Sequence, residues 1–315
     1  MTRAVVLAGG LSFEREVSLR SGGRVCEALR SAGVEASVHD ADAGLLAMLD
    51  EASVDAVFVA LHGASGEDGS IRDVLTLAGV PYVGSPPHAC RLAFDKPIAK
   101  SIARSAGVAT PEFVTLPHSA FRELGAHGVL DRLLARLGLP LVVKPATGGS
   151  ALGATVVRDG DALPAAMAHC FSYGDTAVVE RYVTGTELAI TVVEEDGVSR
   201  ALPAVEVEPH SGFFDYAARY TAGRTDYYAP ARLDPAVVDA ATAVALAAHR
   251  VLRLRDLSRT DLIVDEAGTP WFLEVNVSPG MTETSLLPMA VAAAGLDLGE
   301  VCRDLLAVAA ARGPG

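Results

Sequence analysis

Residues 1–95 alternate short apolar strands with helices, and that alternation leaves few folds open. Ala4 to Ala8 is an apolar run that stops at Gly9-Gly10, with a helix expected from about Val17 to Ala32. Val54 to Leu61 (VDAVFVAL) is a second such run, closed by His62-Gly63. Helical signal returns from Ser70 to Leu77, and Val80 to Val83 reads as extended. Apolar strands joined through helices imply a parallel sheet covered on both faces. Ligands of such sheets gather beyond the carboxyl ends of the strands, where Gly9-Gly10 and His62-Gly63 stand.

After Phe94 the pattern changes. A helix from Pro97 to Ala106 is followed by separate strands at Leu139 to Lys144, Ala154 to Arg158 and Ala177 to Tyr182. Long strands come next, then an aromatic-rich irregular stretch near residues 210–230, a helix from Ala236 to Leu252 and a hairpin. The tail from Val301 to Ala311 is helical. The expected division of this α/β chain is three packed sections, residues 1–95, 96–185 and 186–315. A length of 315 residues accommodates them, and a hydrophobic fraction of 50% argues against disorder.

Lys and Arg total 26 against 39 Asp and Glu, a net charge of −13. That balance repels nucleic acid and anionic membranes, so neither is an expected partner, and an anionic substrate needs a local cationic pocket. Cys26, Cys90, Cys170 and Cys302 form no CxxC pair and read as reduced core residues. The apolar run near the N-terminus is too short for a signal peptide, and no stretch approaches the ~20 apolar residues of a membrane helix. The expected location is the cytoplasm.

The segment from Asp261 to Asn276, DLIVDEAGTPWFLEVN, reads as a β-hairpin. With its turn centred between Ala267 and Gly268, Asp261 lies across from Glu274, and Glu274 shares a face with Asn276. Like charges at ~4 Å repel by about 4 kcal/mol at an effective dielectric near 20. A divalent cation cancels that repulsion, and an all-oxygen set suits magnesium held jointly with phosphates. The competing reading leaves both carboxylates solvated on an exposed face.

In KPATGGSALG, Lys144 ends an apolar strand and glycines follow, so backbone N–H groups can curl around phosphate oxygens beside the lysine charge. No Lys-Ser/Thr follows the glycines, so this is not a Walker A loop, and an ordinary tight hairpin fits the same residues. ERYVTGTE (Glu180 to Glu187) offers acidic residues for adenine N–H groups and ribose hydroxyls, or a solvated connection. Glu14 and Glu16 sit in the turn after the first strand, where a carboxylate can take a substrate ammonium or simply favour a helix N-terminus.

Taken in order, seven segments resemble the D-alanine–D-alanine ligase family of the ATP-grasp superfamily. They are LSFEREVSL, LHGASGEDGS, FDKPIAK, KPATGGSALG, VVERYVTGTE, GFFDYAARY and FLEVNVSPGMTETSL, spread along nearly the whole chain. The resemblance implies an N-terminal α/β domain followed by two α+β domains that clasp ATP. It implies that Lys96 and Lys144 hold ATP phosphates, with Glu180, Arg181, Val183 and Glu187 around adenine and ribose and Arg219 on the lid. Asp261, Glu274 and Asn276 would bind two magnesium ions, with manganese an acceptable substitute. Glu14 would take the first substrate's ammonium, held by Ser150 and Tyr220, with His62 nearby. Arg259 and the Gly280 N–H would form the oxyanion site, and Ser285 with the Leu286 N–H would take the second substrate's carboxylate.

The implied reaction joins two D-alanines through an acyl phosphate, giving D-alanyl-D-alanine, ADP and phosphate for cell-wall precursors. The segment from Gly212 to Tyr228 is expected to close as a lid. Arg219 and Arg181 stand where lysines are usual, Ala151 replaces the second serine of the usual GSS loop, and Thr284 differs from members with histidine before the serine. These put substrate range and rate in question. A sister ligase making another dipeptide or a D-alanyl ester is the near alternative, although ester-forming relatives typically carry histidine at the position of Tyr220. A regulator that has lost catalysis is the distant one. The family implies a homodimer.

Overall fold

A computed structural model describes residues 2–51, 53–195 and 197–314. The first sheet is four parallel strands, β1 (Arg3–Ala8), β2 (Glu35–Asp40), β3 (Ala56–Val59) and β4 (Tyr82–Val83), in the order β2-β1-β3-β4. Its connections carry α1 (Arg15–Ser31), α2 (Leu45–Glu51), α3 (Ala64–Glu67) and α4 (Ser70–Leu77). Val6 and Phe58 bury against Val25 and Leu29 of α1, while Leu7 and Val59 face Leu49 and Leu75. Both faces are therefore covered, as unbroken apolar strands require.

α5 (Pro87–Phe94) and α6 (Lys96–Ser105) lead into a second, antiparallel sheet. It comprises β5 (Phe113–Pro117), β6 (Leu141–Pro145), β7 (Thr155–Val157) and β8 (Thr176–Arg181) in the order β5-β8-β6-β7. One face packs on α8 (Ala126–Leu137), which follows the short α7 (His118–Leu124), and on α9 (Leu163–Phe171). Leu130, Leu133 and Leu137 lie at helical spacing and form the buried stripe of α8.

The third sheet is antiparallel and builds on β9 (Thr186–Glu195), β10 (Val198–Ala201) and β11 (Val205–Pro209). Between β11 and β12 (Thr225–Tyr228) lies the short α10 (Tyr216–Tyr220), and α11 (Pro235–Val251) precedes β13 (Leu257–Val264) and β14 (Pro270–Asn276). The order is β12-β11-β9-β13-β14, with β10 paired to β9. Ala241, Ala245 and Ala248 on α11 let that helix lie close on this sheet. The stretch expected to be irregular instead holds α10 and β12, because β11 offers β12 a pairing edge from Glu206↔Tyr228 to Pro209↔Thr225.

Two helices cross the expected divisions. α6 packs on β14, while α12 (Leu286–Ala293) leads to α13 (Leu298–Arg312), which returns to α1, β3 and β4. The three sheets thus share packed helices rather than linkers. All four cysteines are buried and unpaired. Among the described residues, no helix is long and apolar enough to cross a membrane.

The hairpin pairs Asp261 with Glu274 as expected, by a different route. The turn centres on Ala267: Gly268 N–H donates to Asp265, Asp265 N–H donates to Thr269, and Gly268 takes φ +81°. That is the three-residue loop with a left-handed closing residue. The register at the turn is accordingly offset from the expected one, with Val264 opposite Pro270. A β-bulge between Asp261 and Leu262, whose partners are Glu274 and Phe272, then restores the carboxylate pairing.

Candidate active site

Two contiguous cavities open between the sheets, of about 320 Å³ and about 60 Å³. Gly149, Phe214, Arg219 and Glu274 line both. The larger has the size of a small-molecule site. Lys96, Lys144, Val183, Glu187, Arg219, Asp261 and Glu274 line it, together with the glycine-rich loop. The smaller is lined by Glu14, His62, Ser150, Tyr220, Arg259, Asn276, Gly280, Ser285 and Leu286.

At the larger cavity, Lys96 begins α6 because Asp95 caps that helix, accepting from the Ile98 N–H at 3.0 Å. Lys96 Nζ donates to the Gly148 carbonyl at 2.6 Å and lies 3.4 Å from Glu274 Oε2. Lys144 Nζ lies 2.6 Å from Glu180 Oε1. Burial alone would lower the Lys144 pKa, but Glu180 and Glu274 outweigh it and move it upward. Arg219 stacks its guanidinium 4.2 Å over the Phe214 ring at the junction of the cavities. Three cations therefore line a cleft that also carries the carboxylates of Glu187, Glu206, Glu208, Asp261 and Glu274, so positive charge for an anionic substrate stands beside oxygen groups that suit a metal ion.

Asp261 receives both prongs of Arg259, Nε at 2.7 Å and Nη2 at 2.8 Å, and the Asn276 amide at 3.3 Å. Burial works to raise Glu274, but Lys96, Lys144, Arg219 and Arg259 hold its carboxyl at about 2. Glu187 has the opposite fate. Burial, with Asp261 and Glu274 adding to it against Arg219, pushes it up to about 7.

In the smaller cavity, Ser150 donates to Glu14 Oε1, and its oxygen lies 2.6 Å from the Tyr220 phenol. Ser150 has one hydroxyl proton, so Tyr220 is the donor in the second bond. Burial raises the Glu14 pKa, while Ser150, Arg219 and Lys96 resist it. Glu14 turns inward and Glu16 stays exposed, so the structural reading holds for Glu16 alone. A Cβ on Gly63 would come within 2.7 Å of Glu14 Oε2, and φ +67° there also favours glycine.

His62 Nδ1 lies 3.1 Å from the Ser278 carbonyl, which only accepts, so Nδ1 carries the proton. Nε2 lies 2.8 Å from Ser21 Oγ, and burial lowers the imidazole pKa to about 4. His62 is thus a neutral tie between β3, α1 and the segment leading to Gly280. Ser285 precedes α12, and its hydroxyl accepts from the Thr282 N–H at 2.9 Å instead of capping the helix. The first N–H groups of α12 are left for an anion.

Two expected residues are not brought to the cavities. The Glu180 carboxylate is buried between two lysines, Oε1 toward Lys144 and Oε2 2.8 Å from Lys100, so it cannot face adenine or ribose. Arg181 is exposed and its Nε donates to the Leu137 carbonyl at 2.9 Å, because the strand alternation of β8 sends it away from Glu180's side. Conversely, Glu67 lines the smaller cavity without having been anticipated. It lies one helical turn after Gly63, whose N–H it accepts at 3.0 Å, and burial together with Glu14 pushes it up to about 8. The four-residue spacing from a strand-end glycine was the available signal.

Adjoining cavities clasped by three sheets, the larger with three cations among carboxylates and the smaller with buried Glu14 beside Arg259, describe a site for charged small molecules. A family model for the D-ala D-ala ligase C-terminus matches residues 102–307, and one for the N-terminus matches residues 35–85. A D-alanine–D-alanine ligase of Anaeromyxobacter dehalogenans is 44% identical over 304 residues, 96% of each chain. The solved D-alanine–D-alanine ligase of Bacillus anthracis is 30% identical, with TM-score 0.82 over 99% of this chain and 98% of that one. The VanG D-Ala:D-Ser ligase of Enterococcus faecalis gives TM-score 0.83 at 27% identity, over 98% and 99%. The chain belongs to the D-alanine–D-alanine ligase family, and its fold is ATP-grasp.

Proposed function

We propose that this chain joins two D-alanines at the expense of ATP, releasing D-alanyl-D-alanine, ADP and phosphate. The observation that carries the reading is the placement of the Glu14–Ser150–Tyr220 chain and Arg259 in one cavity that opens onto the Lys96, Lys144 and Arg219 cleft. The B. anthracis relative, solved in complex with ATP, supports nucleotide binding, and the size and lysines of the larger cavity support assigning the nucleotide there.

Magnesium fits the residues present. Asp261, Glu274 and Asn276 offer oxygen ligands, and the two carboxylates face each other across β13 and β14, a like-charge pairing that a cation would relieve. Two ions held there would neutralise charge on the transferring phosphoryl group. Lys96, Lys144 and Arg219 supply fixed positive charge toward the phosphates. Transfer of the γ-phosphoryl group to the first D-alanine's carboxylate activates it, since a bare carboxylate does not condense with an amine.

Glu14 orients the first substrate's ammonium, and its own orientation is fixed by Ser150 and Tyr220. Ser285 and the α12 N-terminus hold the second substrate's carboxylate, so that its amine, once deprotonated, reaches the acyl phosphate. Arg259 and the Gly280 N–H face the oxyanion of the tetrahedral intermediate, a contribution of about 3–4 kcal/mol per donor in comparable sites. Phe213, Phe214 and Tyr220 from the Gly212–Tyr228 segment close over the junction and exclude water that would hydrolyse the acyl phosphate.

The reading extends to a cytoplasmic homodimer that supplies dipeptide for peptidoglycan, with the three expected sections as its domains; family membership supports this extension. Retention of Arg259, Asp261, Glu274 and Asn276 speaks against a regulator without catalysis. D-Alanine carrying oxygen-18 in its carboxylate tests the mechanism. One labelled oxygen should appear in the released phosphate, and unlabelled phosphate would exclude the acyl phosphate.

A further inference from the structure

Lys100 ends the FDKPIAK segment, lies four residues after Lys96 on α6 and has no part in the roles above. It is fully buried. Its ammonium lies 2.8 Å from Glu180 Oε2 and donates to Thr110 Oγ1 at 2.8 Å and to the Phe272 carbonyl at 3.3 Å. The other oxygen of Glu180 is held by Lys144 at 2.6 Å. Lys100, Glu180 and Lys144 therefore form a three-member chain of buried charges running from α6 through β8 to β6, and only its Lys144 end lines the larger cavity.

We propose that Lys100 is a positioning residue for nucleotide binding: by sharing Glu180, it leaves Lys144 with a net charge for the phosphates instead of a closed pair. With both lysines charged the chain carries +1. Without Lys100 it carries zero, and Glu180 holds Lys144 alone. A buried ion pair already satisfied has little attraction left for a third ion, because its field largely cancels beyond the pair. This inference rests on the ATP reading of the larger cavity.

The charge count sets the test. Lys100→Met should raise the KM for ATP about tenfold or more while kcat changes less, the loss expected for one charge-assisted contact. The double variant Lys100→Met/Glu180→Gln frees Lys144 again and should recover a large part of that KM. If Lys100 only packs the core, the double variant will be no better than the single, and an unchanged KM in the single variant would equally overturn the proposal.

Wild-type protein gives a measurement that needs no substitution. Burial, opposed by Glu180, lowers the Lys100 pKa to about 8, with Lys144 and Glu274 the other charged groups acting on it. Lys144 is shifted upward and stays charged. The KM for ATP should rise as pH passes about 8, and a flat profile from about pH 7 to 9.5 contradicts the charge chain. Failure of the wild type to bind or turn over ATP at all would count against the ligase reading instead.

Discussion

The hydroxyl of Ser150, on the glycine-rich loop, lies 2.6 Å from the phenolic oxygen of Tyr220 on α10, and it donates its own hydrogen bond to Glu14, in the turn between β1 and α1. One hydroxyl thus joins an element from each of the three sheet regions, and it does so beside the junction of the two cavities. Ser150 takes φ +53° to reach that position, an unusual conformation for a residue with a side chain. The glycine-rich loop, α10 and the Glu14 carboxylate are fixed together.

Removing either partner should loosen Glu14. Ser150→Ala should cut kcat/KM for the first D-alanine about 10- to 100-fold, the worth of a hydrogen bond to a charged group, and Tyr220→Phe, which removes a neutral bond one step away, about 2- to 10-fold. The double variant should fall short of the product of the two effects, since both act through Glu14. Steady-state kinetics on the three proteins checks this. Fully multiplicative losses would show independent roles.

Arg259 and Asp261 form a two-pronged pair inside β13, and both side chains are nearly buried. Arg259→Met should lower kcat about 10²- to 10³-fold through loss of an oxyanion donor. It should also lower the melting temperature, because Asp261 is left buried without its partner. Added magnesium should restore part of the stability and none of the lost rate. Thermal unfolding with and without the ion separates the two effects.

Stability should depend on pH through Glu67. Its folded pKa is raised from 4.5 to about 8, chiefly by burial and then by Glu14, and Glu187 is raised to about 7. A raised folded pKa means that the unfolded chain releases the proton first. The contribution to stability is complete below about pH 4.5 and is lost as pH rises through about 8. The ligand-free protein should therefore melt at lower temperature at pH 8 than at pH 5, and Glu67→Gln should flatten that slope. A slope unchanged in Glu67→Gln would remove Glu67 as its origin.

Chelation tests the acidic patch. EDTA should abolish turnover, and magnesium should restore it. Glu274→Gln should raise the magnesium concentration needed for half activity by about tenfold or more, by loss of a charged oxygen ligand. Isothermal titration of magnesium in the presence of ADP measures the same change directly.

The legible parts of the sequence were those where periodicity and chemistry coincide. Asp261 and Glu274 sit in apolar strands around a glycine turn, so their facing is readable even though the half-residue offset and the bulge that cancels it are not. A bulge is a tertiary accommodation with no mark of its own in an apolar run. The alternation of the first sheet follows from unbroken apolar strands, whereas β2 (EASVHD) is half polar and gives a weak signal. Glu180 shows the other limit. Its acidic character points to adenine N–H groups and ribose hydroxyls or to a solvated connection, but the direction of its side chain is set by Lys144 and by Lys100, eighty positions earlier in the chain. Glu67 is harder to read, because one turn of helix carries its carboxyl back over Gly63, a contact that only burial makes meaningful.

The most direct test of the central claim is the product formed by purified protein from ATP, magnesium and D-alanine, identified by mass together with ADP release. D-Alanyl-D-alanine should appear with one ADP per dipeptide, and L-alanine should give none. Absence of that dipeptide, or a mixed product formed only when D-serine is also supplied, would contradict the assignment of D-alanine to both positions.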